Sequence, residues 1–173
     1  FQQLGTYGVG TVTCIVSFDP KANWAHRFVP VEPQVVADQI EAATSAYDLD
    51  VVKIGMLGTP ATIDVVAQAL ARQSWRHVVV DPVLICKGQE PGAALDTDTA
   101  LRQQILPLAT VTTPTLFEAR TLAVAAAHDP SGPVHVYCLD YGSRGLHMLQ
   151  TLPNVGTVVS ADDTERTHRL LRE

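Results

Sequence analysis

His77-Val78-Val79-Val80-Asp81-Pro82-Val83-Leu84-Ile85-Cys86-Lys87-Gly88 is the stretch that decides the fold class. An apolar, β-branched run ends in a carboxylate, a proline breaks it, and a thiol, an amine and a glycine follow. Side chains of this kind pack well on a pleated surface. A run without polar alternation reads as a strand buried on both faces of a parallel sheet. The carboxyl edge of such a sheet is where open α/β proteins bind ligands, so Asp81 is expected at that edge, with 84–88 as a flap over it. Lys87 beside Cys86 can lower the thiol's pKa and make it reactive. A small buried apolar cysteine is the other reading, since free cysteine is among the most buried residue types.

Working outward, residues 9–18 are rich in β-branched side chains and read as a buried strand. Residues 19–24 form a polar turn. Residues 31–47 carry Val35, Val36, Ile40 and Ala43 at helical spacing after Glu32-Pro33. Residues 51–54 are a short strand ending in Gly55-Met56-Leu57-Gly58. Thr59-Pro60 then caps a helix to about Arg72, with Ile63, Val66, Ala67 and Leu70 on one face. On the other side of the key stretch, 97–106 read as helix, 110–113 as strand and 116–127 as helix. Residues 134–139 and 146–149 read as strands joined in a hairpin by Asp140-Tyr141-Gly142-Ser143. Residues 155–160 read as strand and 163–172 as an amphipathic helix. Strands alternating with helices imply an α/β fold with a mostly parallel sheet and right-handed crossovers.

The 173 residues suit one domain able to bury a core, and 46% hydrophobic against 17% charged residues is a globular rather than disordered composition. A formal charge of −6 excludes the basic footprint of a nucleic-acid binder. No apolar run approaches the roughly 18 residues of a membrane span, and the opening residues are not expected to be a signal peptide. Cys14, Cys86 and Cys138 are odd in number and lack CxxC spacing. They are expected as reduced thiols in a cytoplasmic protein, with Cys14 and Cys138 in the core. Phe1-Gln2-Gln3-Leu4-Gly5 opens without methionine, and the sequence is expected to be incomplete.

The strand ends carry the candidate chemistry: Ser17-Phe18-Asp19, Gly55-Met56-Leu57, Asp81-Pro82-Val83 and Thr112-Thr113-Pro114-Thr115-Leu116-Phe117-Glu118. Two carboxylates, Asp81 and Glu118, near one crevice are a plausible pair for Mg²⁺ and bridged phosphates. Each has an ordinary alternative: a loop or capping acid for Asp81, and a first-turn acid favoured by the helix dipole for Glu118. Lys53, two residues before Gly55, is read as tying its strand to a neighbouring acid.

As a linked set, Lys53-Ile54-Gly55-Met56-Leu57-Gly58, Val80-Asp81-Pro82-Val83, Cys86-Lys87-Gly88 and residues 106–114 resemble the pyridoxal kinase and hydroxymethylpyrimidine kinase branch of the ribokinase superfamily. The likeness runs from residue 1 to about 122 and weakens over 123–173. It implies a single three-layer α/β/α ribokinase-like domain over 1–173, acting as a homodimer. The implied activity is ATP- and Mg²⁺-dependent phosphorylation of the 5-hydroxymethyl group of pyridoxal, pyridoxine or pyridoxamine, with hydroxymethylpyrimidine as a further acceptor. A dedicated hydroxymethylpyrimidine or phosphomethylpyrimidine kinase of thiamin synthesis, or an idle vitamer-binding relative, are the alternatives.

By the same resemblance Asp81 lies by the metal and triphosphate. The family's Asn-x-x-Glu motif falls on Thr115-Leu116-Phe117-Glu118, with threonine in place of asparagine; Asp81, Thr115 and Glu118 are thus the nucleotide-side residues and Asp81 and Glu118 the metal ligands. Substrate contacts are expected from Phe18, His26, Gly55, Met56, Val83 and Cys86. Phe18 stands where pyrimidine-specific kinases often carry glutamine, and an aromatic ring offers stacking instead of a two-way hydrogen bond. Cys86 matches a flap cysteine able to add to the pyridoxal aldehyde as a hemithioacetal.

Two family elements do not occur in the sequence: an N-terminal Asp-x-Ser-Gly-Gly-Ala-Gly loop, and the Gly-x-Gly-Cys/Asp anion hole whose last residue is the catalytic base. Asn154-Val155-Gly156-Thr157 does not match the latter. No catalytic residue is therefore assigned, and these residues alone are not expected to transfer phosphate at a useful rate.

Overall fold

The computed structural model describes residues 3, 5–22, 25–83, 91–127, 135–142 and 145–172. They fall into two compact units, Phe1–Thr113 and Pro114–Glu173.

The first unit begins with an antiparallel hairpin of β1 (Cys14–Asp19) and β2 (Ala25–Pro30), in which Cys14 faces Pro30 and Phe18 faces His26. Helix α1 (Pro33–Ala46) is capped by the Glu32 carboxylate, which accepts from Val35 N at 3.2 Å. Strand β3 (Val51–Ile54) leads through Gly55–Gly58 into α2 (Pro60–Leu70). The Thr59 hydroxyl accepts from Thr62 N at 3.1 Å, and Pro60 supplies the preset first-turn φ, as its sequence position requires. Strand β4 (His77–Val80) follows, then α3 (Pro91–Ala100), a π-helical turn over Leu101–Ile105 and a 3₁₀ turn over Leu106–Leu108. Strand β5 (Val111–Thr112) completes a parallel sheet of order β3-β4-β5. Thr110 N and Thr113 N donate to Val78 O and Val80 O, both at 2.8 Å, so the β4–β5 ladder runs one residue past the strand at each end.

The core of this unit gathers Ile54, Val78 and Val80 of the sheet with Val36, Ile63, Val66, Leu70, Leu101 and Ile105. Each such aliphatic side chain contributes about 1.5–3 kcal/mol on full burial. The Ile63, Val66 and Leu70 stripe of α2 is the buried face its periodicity indicates.

The second unit holds α4 (Leu116–Ala127), β6 (Val136–Asp140), a 3₁₀ turn (His147–Thr151), β7 (Val155–Ser160) and α5 (Thr164–Leu170). Its core joins Ala119, Ala123, Cys138, Leu149 and Val158. Asp163 caps α5 through Arg166 N at 3.0 Å.

Three expectations need correction. The β-branched run 9–18 gives a strand only over Cys14–Asp19, and much of it is exposed; Cys14 is half-buried rather than core. The run has β propensity, but its partner is a single antiparallel strand, not a sheet interior. The helix expected over 97–106 starts earlier, at Pro91, and loses α geometry at Leu101. Pro107 explains the ending, because it lacks an N–H and its ring crowds the carbonyl four residues before. The described residues of 134–149 form no β-hairpin. Strand β6 instead pairs with β7 in parallel, with Cys138 opposite Val158. The buried Asp140 carboxylate accepts from Gly142 N at 3.0 Å and Leu146 N at 2.9 Å, curling the chain into the 3₁₀ turn. The intervening residues 141–154 supply the crossover of about a dozen residues that parallel pairing requires.

Candidate active site at the carboxyl edge of the parallel sheet

Asp81 follows β4 directly, and its N–H donates to Ile54 O at 2.8 Å, extending the β3–β4 ladder to the sheet edge. Pro82 behind it is fully buried, and Val83 N turns back to Asp81 O at 2.9 Å. The register pairs Lys53 with Val79, two residues before Asp81. Side chains alternate along a strand, so Lys53 and Asp81 share one face while Ile54 and Val80 are buried on the other. Lys53 Nζ lies 3.3 Å from Asp81 Oδ2, with the two side chains 50% and 39% exposed. The neighbouring acid anticipated for Lys53 is thus the candidate metal acid itself.

Beside this pair, β3 opens into the turn Gly55-Met56-Leu57-Gly58. A Cβ at Gly55 would meet nothing within 4 Å among the described residues, so this strand end borders open space. Gly58 has φ +81°, a left-handed conformation suited to glycine, and a Cβ there would collide with the Phe28 ring. Thr13 Oγ1 donates to Met56 O at 2.7 Å, and Cys14 Sγ lies 3.6 Å from Met56 Sδ. The hairpin is therefore fastened to the turn through Thr13, Cys14 and Phe28. Cys14, Val16 and Phe18 occupy one face of β1 by alternation, the face that meets the turn. Phe18 sits at the far end of that face and is 64% exposed. His26 is its register partner.

Thr115 and Glu118 lie in the second unit and form a capping box at the start of α4. Thr115 N and Oγ1 both donate to Glu118 Oε2 at 2.7 Å, and Glu118 N returns to Thr115 Oγ1 at 3.4 Å. Glu118 is only 7% exposed. Its first-turn helical role is thereby realised, with the Thr115 amide and hydroxyl closing on one carboxylate oxygen. Asn154, Val155, Gly156 and Thr157 run into β7, where the Tyr137 ring packs over Gly156. Cys86 and the rest of the flap lie outside the described residues.

Mg²⁺ binds through one or two carboxylates while keeping waters and substrate phosphates. Asp81 fits that requirement: it is half-exposed, its Lys53 contact uses Oδ2 alone, and Oδ1 has no partner among the described residues. Glu118, in the second unit, spends Oε2 on the Thr115 amide and hydroxyl. Thr13 and Phe28 are the positioning residues that sequence reading missed. The signal available for Phe28 was Gly58 itself, a glycine directly before the Thr59 cap, where the chain has no room for a side chain.

A family model described as phosphomethylpyrimidine kinase matches residues 1–133, most of the chain. The chain belongs to that family. A putative pyridoxine kinase of Treponema pallidum is 41% identical over 123 residues, covering 71% of this chain and 46% of that protein. The structure of the pyridoxal kinase from Staphylococcus aureus in complex with AMP-PCP and pyridoxal is 38% identical, with TM-score 0.60, over 71% of this chain and 42% of that one. A phosphomethylpyrimidine kinase structure from Clostridium difficile 630 superposes on 92% of this chain and 64% of its own at TM-score 0.60 and 23% identity, which speaks for the fold. The mixed α/β fold with parallel sheets is accordingly ribokinase-like, as the motif set implied. The chain spans about half the length of the curated relatives it matches. No helix among the described residues is long and apolar enough to cross a membrane.

Proposed function

We propose that this chain carries the acceptor side and part of the nucleotide side of an ATP-dependent kinase for the 5-hydroxymethyl group of pyridoxal, pyridoxine or pyridoxamine. The observation that supports this most strongly is the placement of Asp81. It stands at the carboxyl edge of the parallel sheet, beside Lys53 and the Gly55–Met56 turn, in a family member similar to pyridoxine kinases.

In the proposed reaction the acceptor's hydroxymethyl oxygen forms a bond to the γ-phosphorus, and the bond from that phosphorus to the bridging oxygen of ADP breaks. The hydroxyl proton leaves to a base that is not among the residues assigned here. Mg²⁺, when bound, would neutralise phosphate charge, and Asp81 would hold it. By the same resemblance Thr115 and Glu118 are read as nucleotide-side residues of the second unit. Phe18 would offer its ring to the heteroaromatic acceptor, with Gly55, Met56, Val83 and His26 as the further proposed substrate contacts. Cys86 would reach the aldehyde of pyridoxal, the thiol adding to the carbonyl carbon while the oxygen takes the proton.

Both units are read as parts of one ribokinase-like domain. The Ile15–Val29 cross-strand pair, exposed on the outward face of the hairpin, suits a homodimer contact. The free thiols of Cys14 and Cys138 suit a reducing cytoplasm.

The name of the matching family model favours a second reading, phosphorylation of hydroxymethylpyrimidine or its phosphate. Pyridoxal, pyridoxine and the hydroxymethyl aminopyrimidine offered in competition, for binding and as phosphoryl acceptors, separate the two. Preference for a pyridine vitamer is expected; preference for the pyrimidine moves the assignment to the second reading. Binding without transfer, by a protein that does possess a Gly-x-Gly-Cys/Asp segment, would identify an idle relative.

A further inference from the structure

The proposed role of Asp81 gives no task to the cation already resting on it. Lys53 reaches the carboxylate at 3.3 Å from the adjacent strand, and both side chains remain partly in solvent. An ion pair that exposed is weak and easily exchanged, so it is poorly suited to holding the sheet together. The β3–β4 backbone ladder already does that, continuing to Asp81 N. The pair touches Asp81 through Oδ2 alone and leaves Oδ1 without a partner among the described residues.

We propose that Lys53 is a positioning residue that stands in for the divalent cation on Asp81. While no metal is bound, its ammonium neutralises the carboxylate and aims it along the shared face of β3 and β4. When the cation arrives the ammonium yields the carboxylate and becomes a donor for an anionic oxygen of the nucleotide. This inference rests on the reading of Asp81 as the metal acid.

The physics gives the two ligands opposite signs. A fixed positive charge a few ångströms from Asp81 repels a divalent cation and attracts a polyphosphate. Removing that charge should therefore strengthen metal binding and weaken nucleotide binding. Loss of a merely structural side chain would weaken both or neither.

The test uses the 173-residue chain and two probes kept apart: Mn²⁺ without nucleotide, followed by electron paramagnetic resonance, and ATP in EDTA, followed by calorimetry. Lys53→Met should bind Mn²⁺ about three- to ten-fold more tightly than wild type and metal-free ATP several-fold more weakly. Lys53→Gln should repeat that pattern, and Lys53→Arg, which keeps the charge, should restore both affinities to within about two-fold. Asp81→Asn supplies the control. Mn²⁺ binding that depends on Asp81 but does not tighten in Lys53→Met overturns the inference alone. Shifts of both probes in the same direction overturn it as well. Mn²⁺ binding indifferent to Asp81→Asn, or absent from wild type, overturns the metal reading and the inference with it.

Discussion

Gly58→Ala tests how the hairpin is fastened to the turn that carries Gly55 and Met56, the proposed substrate contacts. Two separable penalties follow from the structure. At φ +81° an L-residue adopts a left-handed conformation, which costs roughly 1–2 kcal/mol. The new methyl also meets the Phe28 ring, and relieving an overpacked contact of this kind costs about 1–3 kcal/mol. The sum is about 2–5 kcal/mol, enough to lower a urea midpoint by roughly 0.7 M or more at typical slopes of about 1–3 kcal/mol/M. Phe28→Ala removes the ring and leaves the backbone untouched, so in that background Gly58→Ala should cost only the backbone part, about 1–2 kcal/mol. The double-mutant cycle, read from urea unfolding, should then show a coupling of about 1–3 kcal/mol. Strict additivity would refute the claim that Phe28 and Gly58 lock the hairpin to the turn.

Other expectations concern the capping box, a buried acid and the acceptor ring. Glu118→Ala removes the acceptor of two charge-assisted bonds at 2.7 Å and should destabilise the second unit by about 2–3 kcal/mol, whereas Glu118→Gln, which can still accept, should cost about 1 kcal/mol; hydrogen exchange at the Thr115 amide reads both, and unchanged exchange in the alanine variant would contradict the box. Burial raises the pKa of Asp98, with Arg102 opposing it, and Asp98 Oδ1 is buried without a partner among the described residues. A raised folded-state pKa stabilises the fold below the unfolded value and loses that contribution as pH rises through the folded one. Asp98→Asn should therefore be more stable than wild type at neutral pH, with the gap closing below about pH 4; a gap independent of pH would contradict the assignment. Phe18→Ala should weaken pyridoxal and pyridoxine together by about two- to ten-fold through lost stacking, given roughly 0.5–1.5 kcal/mol for such contacts beyond area burial, and unchanged affinity would count against Phe18 as a substrate contact.

Much of the fold was legible because local signals and tertiary demands agree. The Thr59-Pro60 start of α2, the span of α4 and the valine run of β4 are written in capping chemistry and β-branched composition. Pairing direction was not. The Asp140-to-Ser143 stretch has hairpin-turn composition, yet the Asp140 carboxylate uses its acceptors on Gly142 and Leu146 and sends the chain onward to a parallel partner. Burial of β1 was misread for a related reason, since propensity describes what a strand prefers and not how many strands will cover it. At the site, Asp81 and Lys53 could be found from the sequence because strand ends and alternation fix their faces. The spending of Glu118 on Thr115 could be weighed but not decided, since a capping acid and a metal acid occupy the same position in the first helical turn. Phe28 escaped notice because its role comes from a contact with a residue distant in sequence.

The central claim is that Asp81 is the acid on which metal and triphosphate meet. Calorimetric titration of the chain with AMP-PCP in the presence of Mg²⁺, for wild type and Asp81→Asn, tests it most directly. The account predicts saturable binding that weakens at least about ten-fold in the variant, the scale of a lost charged contact, with the variant's unfolding midpoint unchanged. Equal affinity of the two proteins would contradict it.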